Sequence, residues 1–223
     1  MSRMWDKIVV ASYPRSGNSW IRFILSSLCF DAKTLLDVDE NYGRFFIKTH
    51  SFAPREPAIY VVRHPVDVYL SAVSYLAIKG KKRFTVDMFL DGACFGGTWG
   101  NHVESWLGNK NQLLIKYEDI IKRPVEEVTR IQRFIKKGNV LKAVYFSSST
   151  AMRAMENKAI KDRAEGFFYK PNRVGRYESG SRLLKYCSCG HAEKELSKEE
   201  ISCICKECEK TIRKLEYESL YPV

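Results

Sequence analysis

Residues 8–25 (IVVASYPRSGNSWIRFIL) constrain the fold more than any other stretch of this chain. The apolar run at residues 8–11 is typical of a parallel strand that is covered on both faces. From Trp20 onward the apolar residues follow helical spacing, and Ser19 is placed to cap the start of the helix. The stretch therefore predicts a buried strand, a loop of phosphate-binding size and a helix in direct succession.

The loop between this strand and helix has the features of an anion site. A helix N-terminus presents free backbone N–H groups and the positive end of a dipole. Arg15 adds a guanidinium that can bind phosphate or sulfate oxygens with two hydrogen bonds. The usual nucleotide-triphosphatase loop, GxxxxGK[ST], is excluded because Gly17 is followed by Asn18 and not by lysine. We predict that the anion is held by Arg15, Ser16, Gly17, Asn18 and Ser19.

Three later segments also read as short strands, and they alternate with helical patterns: residues 44–50, 59–63 and 113–117. This alternation predicts an α/β fold, a doubly wound parallel sheet of about four to five strands. Ligands of such sheets bind beyond the carboxyl ends of the strands. We therefore expect Lys48, His50 and Arg63 to face the same crevice as the phosphate loop.

The length and charge of the chain limit its domain organisation and the kinds of partner it can bind. A chain of 223 residues suits one well-buried core, with an α/β domain at 1–185 and a cysteine-rich segment at 186–223 that belongs to the same domain. The net charge of +11 suits nucleic acid, a membrane surface or an anionic cofactor. Because residues 1–7 lack the apolar core of a secretory signal and no long apolar window follows, we expect a cytoplasmic protein without a membrane partner.

Several motifs resemble those of cytosolic-type sulfotransferases, in the same order along the chain. YPRSGNSW at residues 13–20 resembles the YPKSGTTW loop, which holds the 5′-phosphosulfate of 3′-phosphoadenosine 5′-phosphosulfate (PAPS). KTH, ending at His50, resembles the element that carries the catalytic base. Arg63, followed by Ser71, resembles the signature that binds the 3′-phosphate. TWGNHVESW and the LLIKYED that follows it resemble the family's stretch before its fourth strand, and this resemblance implies that Tyr117 contacts adenosine.

This resemblance implies a PAPS-dependent sulfotransferase that passes a sulfuryl group to a hydroxyl or amine of a small organic acceptor. His50 is then the general base in an in-line displacement, because a neutral imidazole can take the acceptor proton. Lys48 and Arg15 are the catalytic cations that stabilise charge on the bridging oxygen. Trp20 either stacks on adenine in the cofactor site or packs in the core.

The chain departs from the family pattern in three places. Arg15 stands where the loop commonly has lysine. Ser149 replaces the aromatic residue of the adenine contact in SSSTAM (147–152). The glycine-rich cofactor clasp corresponds at best to KPNRVGRY (170–177), in which Lys170 and Arg173 are predicted to close over the 3′-phosphate of the cofactor.

The sequence motifs say less about the acceptor of the sulfuryl group than about its donor. A group of aromatic residues suggests a small organic molecule, as in bacterial natural-product tailoring: Phe84, Phe89, Phe95, Trp99 and Trp106. His102 is a candidate for lining the acceptor pocket. His64, which precedes a proline, is interpreted as a helix-entry residue and not as a catalyst.

The C-terminal cysteines allow two interpretations. Cys187, Cys189, Cys205 and Cys208 resemble two arms of a structural zinc site, although the first arm is CxC. Alternatively, Cys205 and Cys208 lie on one helical stripe behind a capping box at 197–200, where cysteine is a small buried apolar residue.

Two other classes of function remain open. A nucleotide-dependent phosphoryl-transfer enzyme would share the sheet and loop but would need magnesium ligands. A basic nucleic-acid-binding module with a zinc ribbon is supported by the tail and the charge alone, so we do not expect a nucleic-acid partner.

Overall fold

A four-stranded parallel sheet forms the centre of the protein. The computed structural model describes residues 7–30, 46–55, 57–78, 83–165, 168–169 and 191–221. The strands are β1 (Ile8–Ser12), β2 (Phe46–Thr49), β3 (Ala58–Val62) and β4 (Gln112–Lys116). They are hydrogen-bonded in the order β2-β1-β3-β4, and every pair is parallel. The predicted doubly wound sheet is confirmed.

The register of the sheet brings the ends of all four strands to one edge. The paired residues near these ends are Ala11 with Thr49, Ser12 with Val61, and Val62 with Lys116. Because the strands run in the same direction, the residues that directly follow them also meet at this edge. The phosphate loop, His50, Arg63 and Tyr117 therefore share one end of the sheet.

Helices cover both faces of the sheet. Their bounds are α1 (Asn18–Phe30), α2 (Pro65–Ile78), α3 (Val86–Leu90), α4 (Trp99–Trp106), α5 (Tyr117–Lys122), α6 (Pro124–Ile135), α7 (Val140–Phe146), α8 (Ser149–Lys161), α9 (Ala192–Glu195), α10 (Lys198–Glu207) and α11 (Glu209–Lys214). Alternate residues of β1 enter opposite cores: Val9 joins the core formed with α2, α4 and α10, whereas Val10 joins the core formed with α1, α6 and α7. This alternation follows from the two-residue period of a strand.

The helix starts confirm one predicted cap and correct another. Ser197 and Glu200 form the predicted capping box at the start of α10. Ser19 does not cap α1, because the helix already begins at Asn18. The carbonyl of Gly17 accepts from the backbone N–H of Trp20 (2.9 Å), so the loop itself supplies the helix boundary.

Other helices have no clear signal in the sequence. α5 begins directly after β4, and α8 is a mostly polar segment that the apolar pattern does not mark as a helix. None of the helices in the described part of the chain combines the length and apolar content needed to span a membrane.

Candidate active site

The loop after β1 adopts a backbone that only a few residue types tolerate. Gly17 has a φ of 103°, and a Cβ at this position would lie 2.4 Å from Cδ2 of Tyr117. Arg15 also has a positive φ, of 70°, which is uncommon for a residue with a side chain. Glycine at 17 is therefore required both by backbone conformation and by the close approach of the Tyr117 ring.

Two polar side chains of the loop, those of Ser16 and Asn18, are buried. Asn18 Nδ2 donates to the Val10 carbonyl (3.1 Å) and ties the helix start to β1. The Ser16 hydroxyl is buried and has no hydrogen-bond partner among the described residues. Because buried polar groups in native proteins are normally paired, this hydroxyl is suited to a bound anion.

Arg15 connects the loop to α2. Its Nε donates to the Ser71 hydroxyl (3.1 Å), and its guanidinium lies 4.5 Å from the centre of the Tyr75 ring. Burial lowers the pKa of Arg15 to about 10, and the nearby Arg63 acts in the same direction. Arg15 thus remains charged at neutral pH and lies close to a second cation.

The end of β2 carries Lys48 and His50, as predicted. Desolvation lowers the pKa of Lys48, and the charges of Arg22 and Arg15 lower it further. Arg22, on α1, was not identified from the sequence, because its charge resembles any exposed helical arginine. Four groups that carry or can accept positive charge (Arg15, Arg22, Lys48 and His50) therefore interact at this edge, which favours an anionic ligand.

His50 is held in one orientation by the end of β1. Its Nδ1 lies 2.6 Å from the Ser12 carbonyl oxygen, which can only accept, so Nδ1 carries the proton. The lone pair of the neutral ring is then on Nε2. Burial lowers the pKa of His50, and the positive charges of Lys48 and Arg15 lower it further, which keeps the ring neutral.

His102 supports His50 from the core and does not line an open pocket. It is fully buried, its Nε2 donates to the His50 carbonyl (3.2 Å), and its Nδ1 accepts from the Tyr60 hydroxyl (2.9 Å). Burial lowers the pKa of His102 to about 4. Trp106 holds the next residue through a hydrogen bond from Nε1 to the Ser51 carbonyl (2.8 Å).

Arg63 lies at the end of β3 and is 2% exposed. Its guanidinium lies 4.3 Å from the centre of the Tyr117 ring, and its Nη2 lies 4.0 Å from Oδ1 of Asp67. Ser71, two turns into α2, lies on the same helix as Asp67. Asp67 is therefore a buried carboxylate beside Arg63 that sequence reasoning missed, and the joint binding of a 3′-phosphate by Arg63 and Ser71 stays a prediction.

Trp20 and Tyr117 pack against each other beneath the loop. Their rings meet edge to face with centroids 5.2 Å apart, and Trp20 Nε1 donates to the Ser147 carbonyl (2.7 Å). Trp20 is 8% exposed, which favours the core-packing interpretation. The hydrogen bond also brings the predicted adenine-contact segment 147–152 next to α1.

The comparison with protein families identifies the family. The sulfotransferase domain matches residues 32–213, a range that includes Lys48, His50, Arg63 and Ser71. The chain belongs to the sulfotransferase family.

Relatives of this sulfotransferase are similar at low identity. Amine sulfotransferase of Oryctolagus cuniculus is 24% identical over 83% of this chain and 73% of its own length. Sulfotransferase 2A1 of Rattus norvegicus is 27% identical over 59% of this chain, and the match spans 60% of the rat protein.

Solved structures show the same fold. A mouse sulfotransferase complexed with 3′-phosphoadenosine 5′-phosphate (PAP) has a TM-score of 0.68 at 20% identity, covering 93% of this chain and 85% of the mouse chain. Retinol dehydratase in complex with androsterone and PAP has a TM-score of 0.69 at 18% identity, covering 93% of this chain and 80% of that chain.

Most of the predicted acceptor aromatics lie in the core of this sulfotransferase. Phe84, Phe89, Trp99 and Trp106 are buried, and Trp99 Nε1 donates to the Arg63 carbonyl (3.2 Å). Their apolar rings fill the space between the sheet and its helices, and the indole N–H groups hold backbone turns. Phe95 alone of the five is partly exposed, with its ring 5.6 Å from that of Tyr13.

The zinc prediction has no support from the described residues. Cys187 and Cys189 lie outside them, as do the predicted clasp residues Lys170 and Arg173. Cys205 and Cys208 are 8% exposed and face the core, and burial raises the pKa of Cys208 to about 12. Within the described ranges, no three His, Cys, Asp or Glu side chains are placed to hold a metal ion.

Proposed function

We propose that this sulfotransferase moves the sulfuryl group of PAPS to a hydroxyl or amine of a small organic acceptor. The observation that carries the proposal is the environment of His50. The ring is kept neutral beside Lys48 and Arg15, and its Nδ1 proton is committed to the Ser12 carbonyl. A neutral base among cations is the arrangement that proton removal beside a polyanionic donor requires.

The residues of the loop and of α2 fit a nucleotide with phosphates at both ends. Ser16, with its buried hydroxyl, and the backbone of Gly17 and Asn18 would hold the 5′ end, together with Ser19 and Arg15. Arg63 and Ser71 would hold the 3′-phosphate. When bound, PAPS supplies the sulfuryl group and a phosphate leaving group. The PAP found with two structural neighbours supports this assignment.

The side chains at the β2 end have two different roles in the proposed reaction, proton removal and charge stabilisation. His50 Nε2 accepts the proton of the acceptor hydroxyl or amine as this group becomes a nucleophile. Lys48 and Arg15 offset the negative charge that develops on the oxygen between phosphate and sulfuryl group. The Arg15 to Ser71 hydrogen bond also links this end to the 3′-phosphate side of the site, because a hydroxyl can accept from arginine while donating to a phosphate.

The proposed acceptors include both amines and hydroxyl compounds. One relative carries the name amine sulfotransferase, and one structural neighbour is in complex with androsterone, so both amine and hydroxyl acceptors belong in a first screen. Phe95 is partly exposed near Tyr13, which supports it as the member of the predicted aromatic group that contacts an acceptor. Natural-product tailoring, a cytoplasmic location and the adenosine contact of Tyr117 stay predictions.

The first test is calorimetric titration with PAP in the absence of magnesium. We expect wild-type protein to bind PAP at micromolar concentrations and Arg63→Lys to bind at least about tenfold more weakly, because lysine lacks the planar fork of arginine. Arg63→Lys keeps the positive charge beside Asp67, so we expect the fold to be preserved. Arg133→Lys on the exposed side of α6 is the matched control and leaves the affinity unchanged.

Failure of the wild type to bind PAP overturns the proposal. Binding of a nucleoside triphosphate that requires Mg²⁺ would then support a phosphoryl-transfer enzyme. Salt-sensitive binding of DNA or RNA that persists with PAP present would support the nucleic-acid alternative.

A further inference from the structure

Two tyrosines near the C-terminus reach the back of the proposed cofactor site. The Tyr221 hydroxyl donates to Oδ1 of Asp67 (2.9 Å), and the Tyr217 hydroxyl donates to Oε2 of Glu118 (2.6 Å). Both tyrosines are buried, at 5% and 2% exposure. Hydrogen bonds from a neutral donor to an ionised carboxylate are shorter and stronger than bonds between neutral groups.

The oxygen that Tyr221 contacts is the one that faces Arg63. Oδ1 of Asp67 lies 4.0 Å from Nη2 of Arg63, and both side chains are at most 2% exposed. The other carboxylate oxygen, Oδ2, is buried and has no hydrogen-bond partner among the described residues. Among the described residues, the Tyr221 hydroxyl is therefore the hydrogen-bond donor that orients Asp67, together with the charge of Arg63.

The segment that carries these tyrosines is itself well anchored. The Tyr217 N–H donates to the Ile212 carbonyl (3.1 Å), and the Leu220 N–H donates to the Tyr217 carbonyl (3.1 Å). The ring of Tyr221 lies 4.8 Å from that of His64, which directly follows Arg63. A buried residue fixed in this way can transmit its position to its neighbours.

We propose that the C-terminal segment 217–221 is part of the cofactor site, with Tyr221 as a positioning residue. Acting through Asp67, the Tyr221 hydroxyl holds the Arg63 guanidinium in the orientation that receives the 3′-phosphate. This inference rests on the proposed function. It also states that recognition of the 3′-phosphate is set in part by a residue 154 positions away from Asp67 in the chain.

The test uses two nucleotides that differ only in the 3′-phosphate, PAP and adenosine 5′-monophosphate. Tyr221→Phe removes one hydroxyl and keeps the ring. We expect PAP affinity to fall about threefold to tenfold, which is the range for loss of one hydrogen bond, and affinity for the monophosphate to stay unchanged. Tyr145→Phe, which removes the hydroxyl of a tyrosine that is 71% exposed, is the matched control and changes neither affinity.

A double-mutant cycle separates positioning from general stabilisation. In the Arg63→Lys background the Tyr221→Phe change is expected to have a smaller effect on PAP affinity than in the wild type. Equal weakening of both nucleotides, an undiminished effect in the Arg63→Lys background, or unchanged PAP affinity in Tyr221→Phe overturns the inference. Absence of PAP binding by the wild type instead overturns the proposed function.

Discussion

The ends of β2 and β3 lie at the same edge of the sheet but differ in their electrostatics. At the β2 end, the pKa of His50 is lowered by burial and by the cations Lys48 and Arg15. At the β3 end, Arg63 faces the carboxylate of Asp67, and burial raises the pKa of Asp67 despite this cation. One end is a cluster of positive charge with a neutral base, and the other is a buried cation with an anionic partner.

Under the proposed function, this difference corresponds to two tasks, which are proton removal at the β2 end and binding of the 3′-phosphate at the β3 end. A base and cations that interact unfavourably with one another are suited to charge that appears only during reaction. A buried arginine that is paired with a carboxylate is rigid. It is therefore suited to binding a group whose charge stays constant during the reaction, such as the 3′-phosphate. The following predictions test this division, from the largest expected effect to the smallest.

Replacing His50 tests the reactive end. His50→Ala is expected to lower kcat by about 10²–10⁴-fold, which is the usual contribution of a general base. PAP affinity and the melting temperature should stay close to those of the wild type. Steady-state sulfuryl transfer and calorimetry measure these quantities, and a kcat within tenfold of the wild type would show that His50 is not the base.

Replacing Arg63 by an apolar residue tests the gripping end. Arg63→Met leaves Asp67 buried without its cation, so the free energy of unfolding at neutral pH is expected to fall by about 3–5 kcal/mol. The loss should shrink at lower pH, because Asp67, whose pKa is raised, becomes protonated and neutral. Chemical denaturation at two pH values measures both effects. Arg133→Met is the control and should change stability by less than about 0.5 kcal/mol.

The lowered pKa of His102 predicts that the stability of the protein falls at acidic pH. Its pKa is about 4 in the folded protein against an ordinary value of 6.5, so protonation favours the unfolded chain. The contribution of His102 to the free energy of unfolding is fully present above pH 6.5. It is lost as the pH falls toward 4, by about 3 kcal/mol in total. His102→Gln keeps a donor for the His50 carbonyl and should flatten the pH dependence of unfolding over this window. An unchanged slope would contradict the assignment.

Lys48 is expected to set the pH dependence of the proposed base, His50. Because the Lys48 charge lowers the pKa of His50, the acid limb of kcat/KM for the wild type should lie below pH 6.5. Lys48→Met should move this limb to higher pH in addition to lowering the rate. The pH–rate profile measures the shift, and Lys110→Met at an exposed position is the matched control. A limb that stays in place would show that Lys48 does not act on His50.

The grouping of the loop, His50 and Arg63 at one edge of the sheet could be predicted from the sequence because each part of it is encoded locally. The phosphate loop follows an apolar strand and precedes a helix, and His50 and Arg63 stand at strand ends. Parallel strands bring such ends together without further information. Ser19 is not the helix cap, because the glycine turn starts the helix at Asn18, two residues earlier than a serine cap at position 19 would. The strands predicted at 59–63 and 113–117 also end one residue earlier, at Val62 and Lys116.

The apolar pattern could not tell core aromatics from pocket aromatics. Phe89, Trp99 and Trp106 look alike in either role, because burial against the core and burial against a ligand require the same side chains. Hydrogen bonds decide the matter in the structure, since Trp99 and Trp106 donate to the turns after β3 and β2.

The sequence by itself determined the parallel sheet, the loop between β1 and α1 and the identity of the residues at the strand ends. The tertiary structure alone decided what stands behind those residues: the carboxylates of Asp67 and Glu118, the neutral His102, and the tyrosines of the C-terminal segment. The physical reason is distance along the chain. Local patterns follow the periods of single strands and helices, whereas a hydrogen bond that joins residues 99 or 154 positions apart leaves no period in the sequence.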